Sequence, residues 1–301
     1  MPCSQCTGGP AGAVVHVRLR EQVDELKRRE PEVRQDVPDG VHQMRVASRR
    51  LRSALSTFRP LLDTDGYARL GEELRWLAGL LGEARDAEVI HQRLRAAIMA
   101  LPAELVHGPV MARIDRELLG AYQGAVARSV TAMDSQRYAR LLDDLDNVVA
   151  DPPWTPMADK PAQATLPSLM WRDWKRLRRR VLAAHHVANP IERRDRLHLA
   201  RKAAKRARYT AETLVPVYSE NAQLLAIAAK RLQSLLGEHH DGAVTQEVLR
   251  RLASQAHEQA EDTFTYGPLY AHEQAVVAEA EAGFAREWKR VSRTKLRRLL
   301  A

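Results

Sequence analysis

The segment VHQMRVASRRLRSALSTFRPLL, residues 41–62, returns 156 positions later as LHLARKAAKRARYTAETLVPVY. His42 lies over His198, Arg45 over Arg201, Arg49 over Lys205, Arg50 over Arg206, Arg52 over Arg208 and Pro60 over Pro216. A second block follows in the same order: at a shift of 155, LAGLLGEARDAEV (77–89) lies over LQSLLGEHHDGAV (232–244). Two matched blocks in one order indicate an internal duplication, so the chain must fold one architecture twice. At the shift of 156 the opening helices agree more loosely, with His16 over Arg172 and Arg20 over Arg176.

Apolar residues recur at helical spacing nearly throughout, and β-branched alternation, hairpin dipeptides and Gly-rich turns are scarce. The fold class is therefore all-α, with helices expected at 14–30, 39–62, 66–82, 86–100, 103–132 and 135–149, then 166–187, 191–216, 219–237, 241–260 and 269–300. Between the two groups, ADPPWTPMADKPAQATLP (150–167) carries five prolines, which interrupt helices and mark a linker. The expected organisation is a disordered tail over 1–13, a first helical half over 14–150, a Pro-rich linker over 151–165 and a second half over 166–301. Cys3 and Cys6 are the only cysteines and fall in the tail; with no second pair they do not make a zinc site. No stretch reaches the ~18 apolar residues of a membrane span and no signal peptide opens the chain, so a cytoplasmic protein without a membrane partner is expected.

The repeated segment is amphipathic in an unusual way. At 100° per residue His42, Arg45, Arg49 and Arg52 share an arc of about 80°, opposite Met44, Ala47, Leu51, Ala54, Leu55 and Phe58. In the second copy His198, Arg201, Lys205 and Arg208 share the basic arc, flanked by Lys202 and Arg206. Residues 42–52 and 198–208 together hold nine Lys or Arg and no Asp or Glu, which equals the whole excess charge of +9. Like charges three and four residues apart repel by a few tenths of a kcal/mol per pair. Repetition of that cost points to an external polyanion, and the arginines of the first copy suit bidentate phosphate binding. A histidine at the start of each basic face could donate to phosphate and gain a proton from the anion's field.

The L-G-E-x-x-D block pairs Glu83 with Asp86 and Glu238 with Asp241. A structural role is expected: the glycine ends one helix, the acid caps the next, and the glutamate orients nearby arginines. Arg85 and His240, at matched positions, could add to an anion site. His239-His240-Asp241 has the composition of a metal phosphohydrolase motif, but the first copy keeps only the acid, so no metal is expected. With 5% aromatic residues and no helix-turn-helix, zinc finger or RNA-binding aromatic motif, nucleic acid is the weaker polyanion.

The paired H-x-x-R-x-x-x-R and H-x-x-R-K-x-x-K-R-x-R-Y segments, each followed by L-G-E-x-x-D, resemble the CHAD family of conserved histidine α-helical domains, over about residues 14–300. The resemblance implies two antiparallel helical bundles related by pseudo-twofold symmetry, whose basic residues line a groove or pore that binds inorganic polyphosphate. It also implies association with polyphosphate granules and, in many members, fusion behind a CYTH-type triphosphate tunnel domain; no acidic E-x-E-x-K start stands ahead of the repeat in this sequence, so triphosphatase activity is not expected of it. Carried over, it directs His42, Arg45, Arg49, Arg50, Arg52, His198, Arg201, Lys202, Lys205, Arg206 and Arg208 toward the anion, with His16, Arg20, Arg172 and Arg176 as a second tier. The expectation is non-enzymatic polyphosphate binding without a cofactor. Nucleic-acid binding and a phosphohydrolase using Asp86, Asp241 and the histidines are the alternatives.

Overall fold

The structure, a computed structural model, describes residues 9–63 and 67–293. Cys3, Cys6 and most of the expected tail lie outside these residues. Eight α-helices are described: α1 Ala11–Arg34, α2 Gly40–Thr57, α3 Tyr67–Ala100, α4 Val110–Met133, α5 Gln136–Ala150, α6 Ala162–His185, α7 Pro190–Glu258 and α8 Tyr266–Arg293. In the first half α1–α4 are successive antiparallel neighbours. In the second, α6 packs on the leading segment of α7, and α8 on its trailing segment. The segments of α7 meet at Ser219, whose backbone is non-helical (φ 44°, ψ −119°). Pro216 lies just before the break, where it withholds an N–H from the preceding turn.

The apolar faces predicted from periodicity close two cores, and both draw on both halves. The larger joins Leu19, Leu26, Met44, Leu51 and Leu81 to Leu166, Leu177, Leu214 and Leu232. The smaller joins Leu94, Ile98 and Ile114 to Leu252, Ala256 and Leu269, at the far ends of the α3/α4 and α7/α8 hairpins. Each fully buried Leu or Ile contributes about 1.5–3 kcal/mol, so α2 and the leading segment of α7 are held face to face by packing on both sides. No helix among the described residues is long and apolar enough to cross a membrane.

Several boundaries differ from the expected ones for local reasons. The helix starts at Ala11 rather than 14, because the backbone of residues 9–12 pairs with that of 158–162. The proline segment is correspondingly packed: Trp154 stacks edge-on against His16 and bridges to Leu62. Pro167, placed in the linker by its chemistry, lies inside α6. Its missing N–H frees the Gln163 carbonyl, which accepts from the Tyr218 hydroxyl instead. The L-G-E blocks do not break their helices, since α3 runs through Gly82 and α7 through Gly237.

Candidate functional site

Two cavities open along the seam between α2 and the leading segment of α7. One, of about 620 Å³, is lined by Arg45, Arg49 and Arg52 from α2, by His198, Arg201, Lys202, Lys205 and Arg206 from α7, and by Arg59 and Arg75. Against these nine Lys and Arg stands, among the described residues, one lining carboxylate, Glu72. The other, of about 670 Å³, takes in His42, Arg50, Arg85, Arg208 and His240. Arg45, Arg49, Arg201, Lys205 and Tyr209 line both. Residues of both basic faces line these cavities, which meet at those five side chains.

The crossing of the two helices is reciprocal. Arg50 reaches Glu212 at 3.4 Å, while its counterpart Arg206 reaches Ser56, the counterpart of Glu212, at 2.6 Å to the hydroxyl and 2.8 Å to the carbonyl. Glu212 also holds Arg208 at 2.6 Å and Arg18 at 3.6 Å, so three guanidiniums share one carboxylate. Tyr209 receives Arg49 at 3.1 Å on its hydroxyl and has Arg50 and Arg208 near its ring, at 5.5 and 5.8 Å.

The glycine of each L-G-E block has a different role from the one expected of it. A Cβ on Gly82 would lie 3.1 Å from Arg45 Nη2, and one on Gly237 would lie 3.8 Å from Arg201 Nε. Gly82 is a notch in which Arg45 crosses the helix, whereas a Cβ on Gly237 would make only ordinary van der Waals contact with Arg201. One turn on, Asp86 Oδ1 meets Arg45 at 3.0 Å and Asp241 Oδ1 meets Arg201 at 3.5 Å. These aspartates thus pair with cleft arginines and cap nothing, because no helix begins there. The glutamates do orient arginines, Glu83 holding Arg128 at 2.7 Å and Glu238 holding Arg93 at 2.9 Å.

Several expected ligands are occupied elsewhere. Arg206 is paired at 2.7 Å with Asp173, a carboxylate 1% exposed that also accepts from Thr57 and Thr210. Arg172 donates to the Thr57 carbonyl, capping the end of α2. Arg176 stands 3.9 Å from Asp173 and lines a side cavity with Arg59 and Arg172. His16 bonds the Val149 carbonyl at 2.7 Å, turned toward the end of α5. Arg20 is exposed and is not among the cleft's lining residues. Of the opening-helix residues, Arg172 and Arg176 thus line a cavity that shares Arg59 and Arg206 with the first one, while His16 and Arg20 line none of the three. Conversely Arg59 and Arg75 line the cleft without having been expected to; the shift of 155 lays Arg75 over Lys230, a signal that was available.

Electrostatics set the unliganded state. Burial, reinforced by Arg49, Arg201 and Arg45, pushes the Lys205 ammonium down to about 6. Burial and Arg201 push His240 down to about 3, and burial also lowers His42 and His198. The histidines are therefore neutral at pH 7, and the His198 and His240 Nδ1 atoms share a contact of 3.3 Å. Arg52 is lowered by burial and by Arg75, Arg49 and Arg45. Arg85 is held by Glu88 at 2.8 Å. Among the described residues no group of three His, Cys, Asp or Glu is arranged to hold a metal ion.

Comparison with known proteins agrees with this architecture. Two Mycobacterium tuberculosis proteins, the uncharacterized protein MT2285 of strain CDC 1551 / Oshkosh and the uncharacterized protein Rv2226 of strain H37Rv, are each 39% identical over 267 residues. That is 88% of this chain but 50% of theirs, so the chain spans about half the length of these curated relatives. Among solved structures, PptA from Streptomyces chartreusis superposes with a TM-score of 0.75 at 23% identity, covering 93% of this chain and 99% of that one. The CHAD domain from the plant Ricinus communis gives 0.67 at 23% identity, covering 99% of this chain and 93% of that one. The CHAD domain family model matches residues 17–250, most of both repeats and the cleft between them, and the chain belongs to that family.

Proposed function

We propose that this chain binds linear inorganic polyphosphate in the cleft between α2 and α7 and does not cleave it. The observation that carries the reading is the excess of nine Lys and Arg over one Glu in the first cavity. An elongated cleft lined by cations neutralises a flexible polyanion along its length and needs no base-reading groups. The groups a hydrolase would use have other partners, Asp86 and Asp241 on arginines and His240 on His198. The same reading assigns the protein to polyphosphate granules in the cytoplasm.

Titration with polyphosphates of increasing length tests it. Affinity is expected to rise with chain length and to fall at least about 100-fold between ~50 and ~200 mM salt, as for other multi-contact polyanion complexes. Absence of binding at moderate salt overturns the reading. So does orthophosphate release with added divalent metal, or displacement by single-stranded RNA or duplex DNA at equal phosphate concentration.

The notch makes a separate prediction. Gly82→Leu fills the space Arg45 crosses and is expected to weaken binding about tenfold, the worth of one charge-assisted hydrogen bond. Gly79→Leu lies in the same helix with open space around its Cβ and should leave affinity unchanged. Equal effects of the two substitutions would show that helix propensity, not the notch, is responsible.

A further inference from the structure

The L-G-E-x-x-D block is repeated, yet its aspartates cap no helix and belong to no three-residue metal-ligating group among the described residues; each is spent on the arginine that passes the glycine one turn before it. Both arginines line both cavities, so each carboxylate sits where an anion in the cleft would compete for the same guanidinium. The guanidiniums are incompletely bonded: Nε of Arg45 and Nε of Arg201 are buried without a hydrogen-bond partner, again at matched positions. We propose that Asp86 and Asp241 are internal counterions, occupying Arg45 and Arg201 in the free protein and giving them up to a phosphate chain.

The inference rests on the polyphosphate reading and adds what sets its affinity. In the free state the carboxylates relieve repulsion among the closely placed cations Arg45, Arg49, Arg201 and Lys205. When phosphate enters, they become the nearest like charges to the ligand and oppose it. Each carboxylate therefore favours the empty cleft over the filled one. A residue that merely positioned its arginine would favour both states. The two copies are not equal. Asp86 is 67% exposed and screened by water, whereas Asp241 is 31% exposed and burial already pushes its carboxyl up. The larger effect belongs to Asp241.

The test is Asp86→Asn and Asp241→Asn, each titrated with long-chain polyphosphate and unfolded in urea. Asp241→Asn is expected to tighten binding about three- to fivefold and Asp86→Asn about twofold, the range for partly exposed ion pairs. Asp86→Asn should lower the urea midpoint, whereas at Asp241 burial already opposes the ionised carboxyl and Asp241→Asn should not lower it. Unchanged or weakened binding in either variant overturns the inference, whatever the midpoint does. Should Asp241→Asn not fold, the exposed Asp86→Asn decides alone, since its predicted sign is the same. Wild-type protein is titrated first: failure there rejects polyphosphate as the ligand, whereas wild-type binding with no tightening in the variants rejects only the counterions.

Discussion

Replacing Arg45 and Arg201 together by glutamate is expected to weaken polyphosphate binding by at least about 100-fold, with the helical fold retained. Each loses a charge-assisted contact, worth about 1.5–3 kcal/mol, and each new carboxylate repels the ligand at the meeting point of the two cavities. Every 1.4 kcal/mol is a factor of ten, so the two losses alone reach the stated figure. Arg20→Glu removes one cation and adds one anion outside the cleft, and should change affinity by less than about twofold. If the double variant binds as wild type does, or Arg20→Glu is equally damaging, the cleft is not the site. Circular dichroism of the variants separates loss of binding from loss of fold.

Binding is also expected to weaken steeply with rising pH. Lys205 in the free protein loses its proton near 6, and the ligand favours the charged ammonium. Above pH 6 the competent protonation state falls about tenfold per unit until the bound-state value is reached, so affinity drops by up to about 100-fold between pH 6 and 8. The histidines, neutral when free, shift in the same direction. Calorimetry in buffers of different ionisation heat should therefore record proton uptake on binding near pH 7.5. Lys205→Met flattens the profile and leaves an affinity like that of wild type at high pH. Stability carries the opposite sign. An unfolded Lys205 binds a proton up to about pH 10.4, whereas the folded one releases it near 6. Free-protein stability from this group therefore rises with pH through that window. Lys205→Met should stabilise the free protein at neutral pH by about 1–3 kcal/mol, measured by urea unfolding. A pH-independent affinity, or a Met variant no more stable than wild type, contradicts this account.

Much of the fold is legible in the sequence because helical periodicity is a local property and survives into the packed state. The break near Pro216 is legible on the same terms, since a proline withholds its hydrogen bond wherever it stands. Gly82 misleads because a helix terminus and a notch demand the same residue, and only the position of Arg45 separates the two. Pro167 misleads because the donor that replaces its N–H, Tyr218, lies far along the chain. At the site, the duplication reveals which faces meet, but not which cations remain available. Arg206 lines the cleft but is paired with Asp173, a lone acid in the basic run of α6 whose matched position holds Val17. The state of the histidines depends on burial and on neighbours from other helices, which no local pattern encodes.

The reciprocal crossing of Arg50 onto Glu212 and of Arg206 onto Ser56 is the contact pattern of two identical subunits meeting on one face, residue i on j and j on i. A gene carrying a single copy could have made such a cleft only as a homodimer, at a concentration set by its affinity for itself. Joining the copies in one chain keeps the two basic helices opposed at any dilution. It also frees them to diverge, so that Glu212 could become an arginine clamp while its twin stayed a serine, an asymmetry closed to a dimer of identical chains.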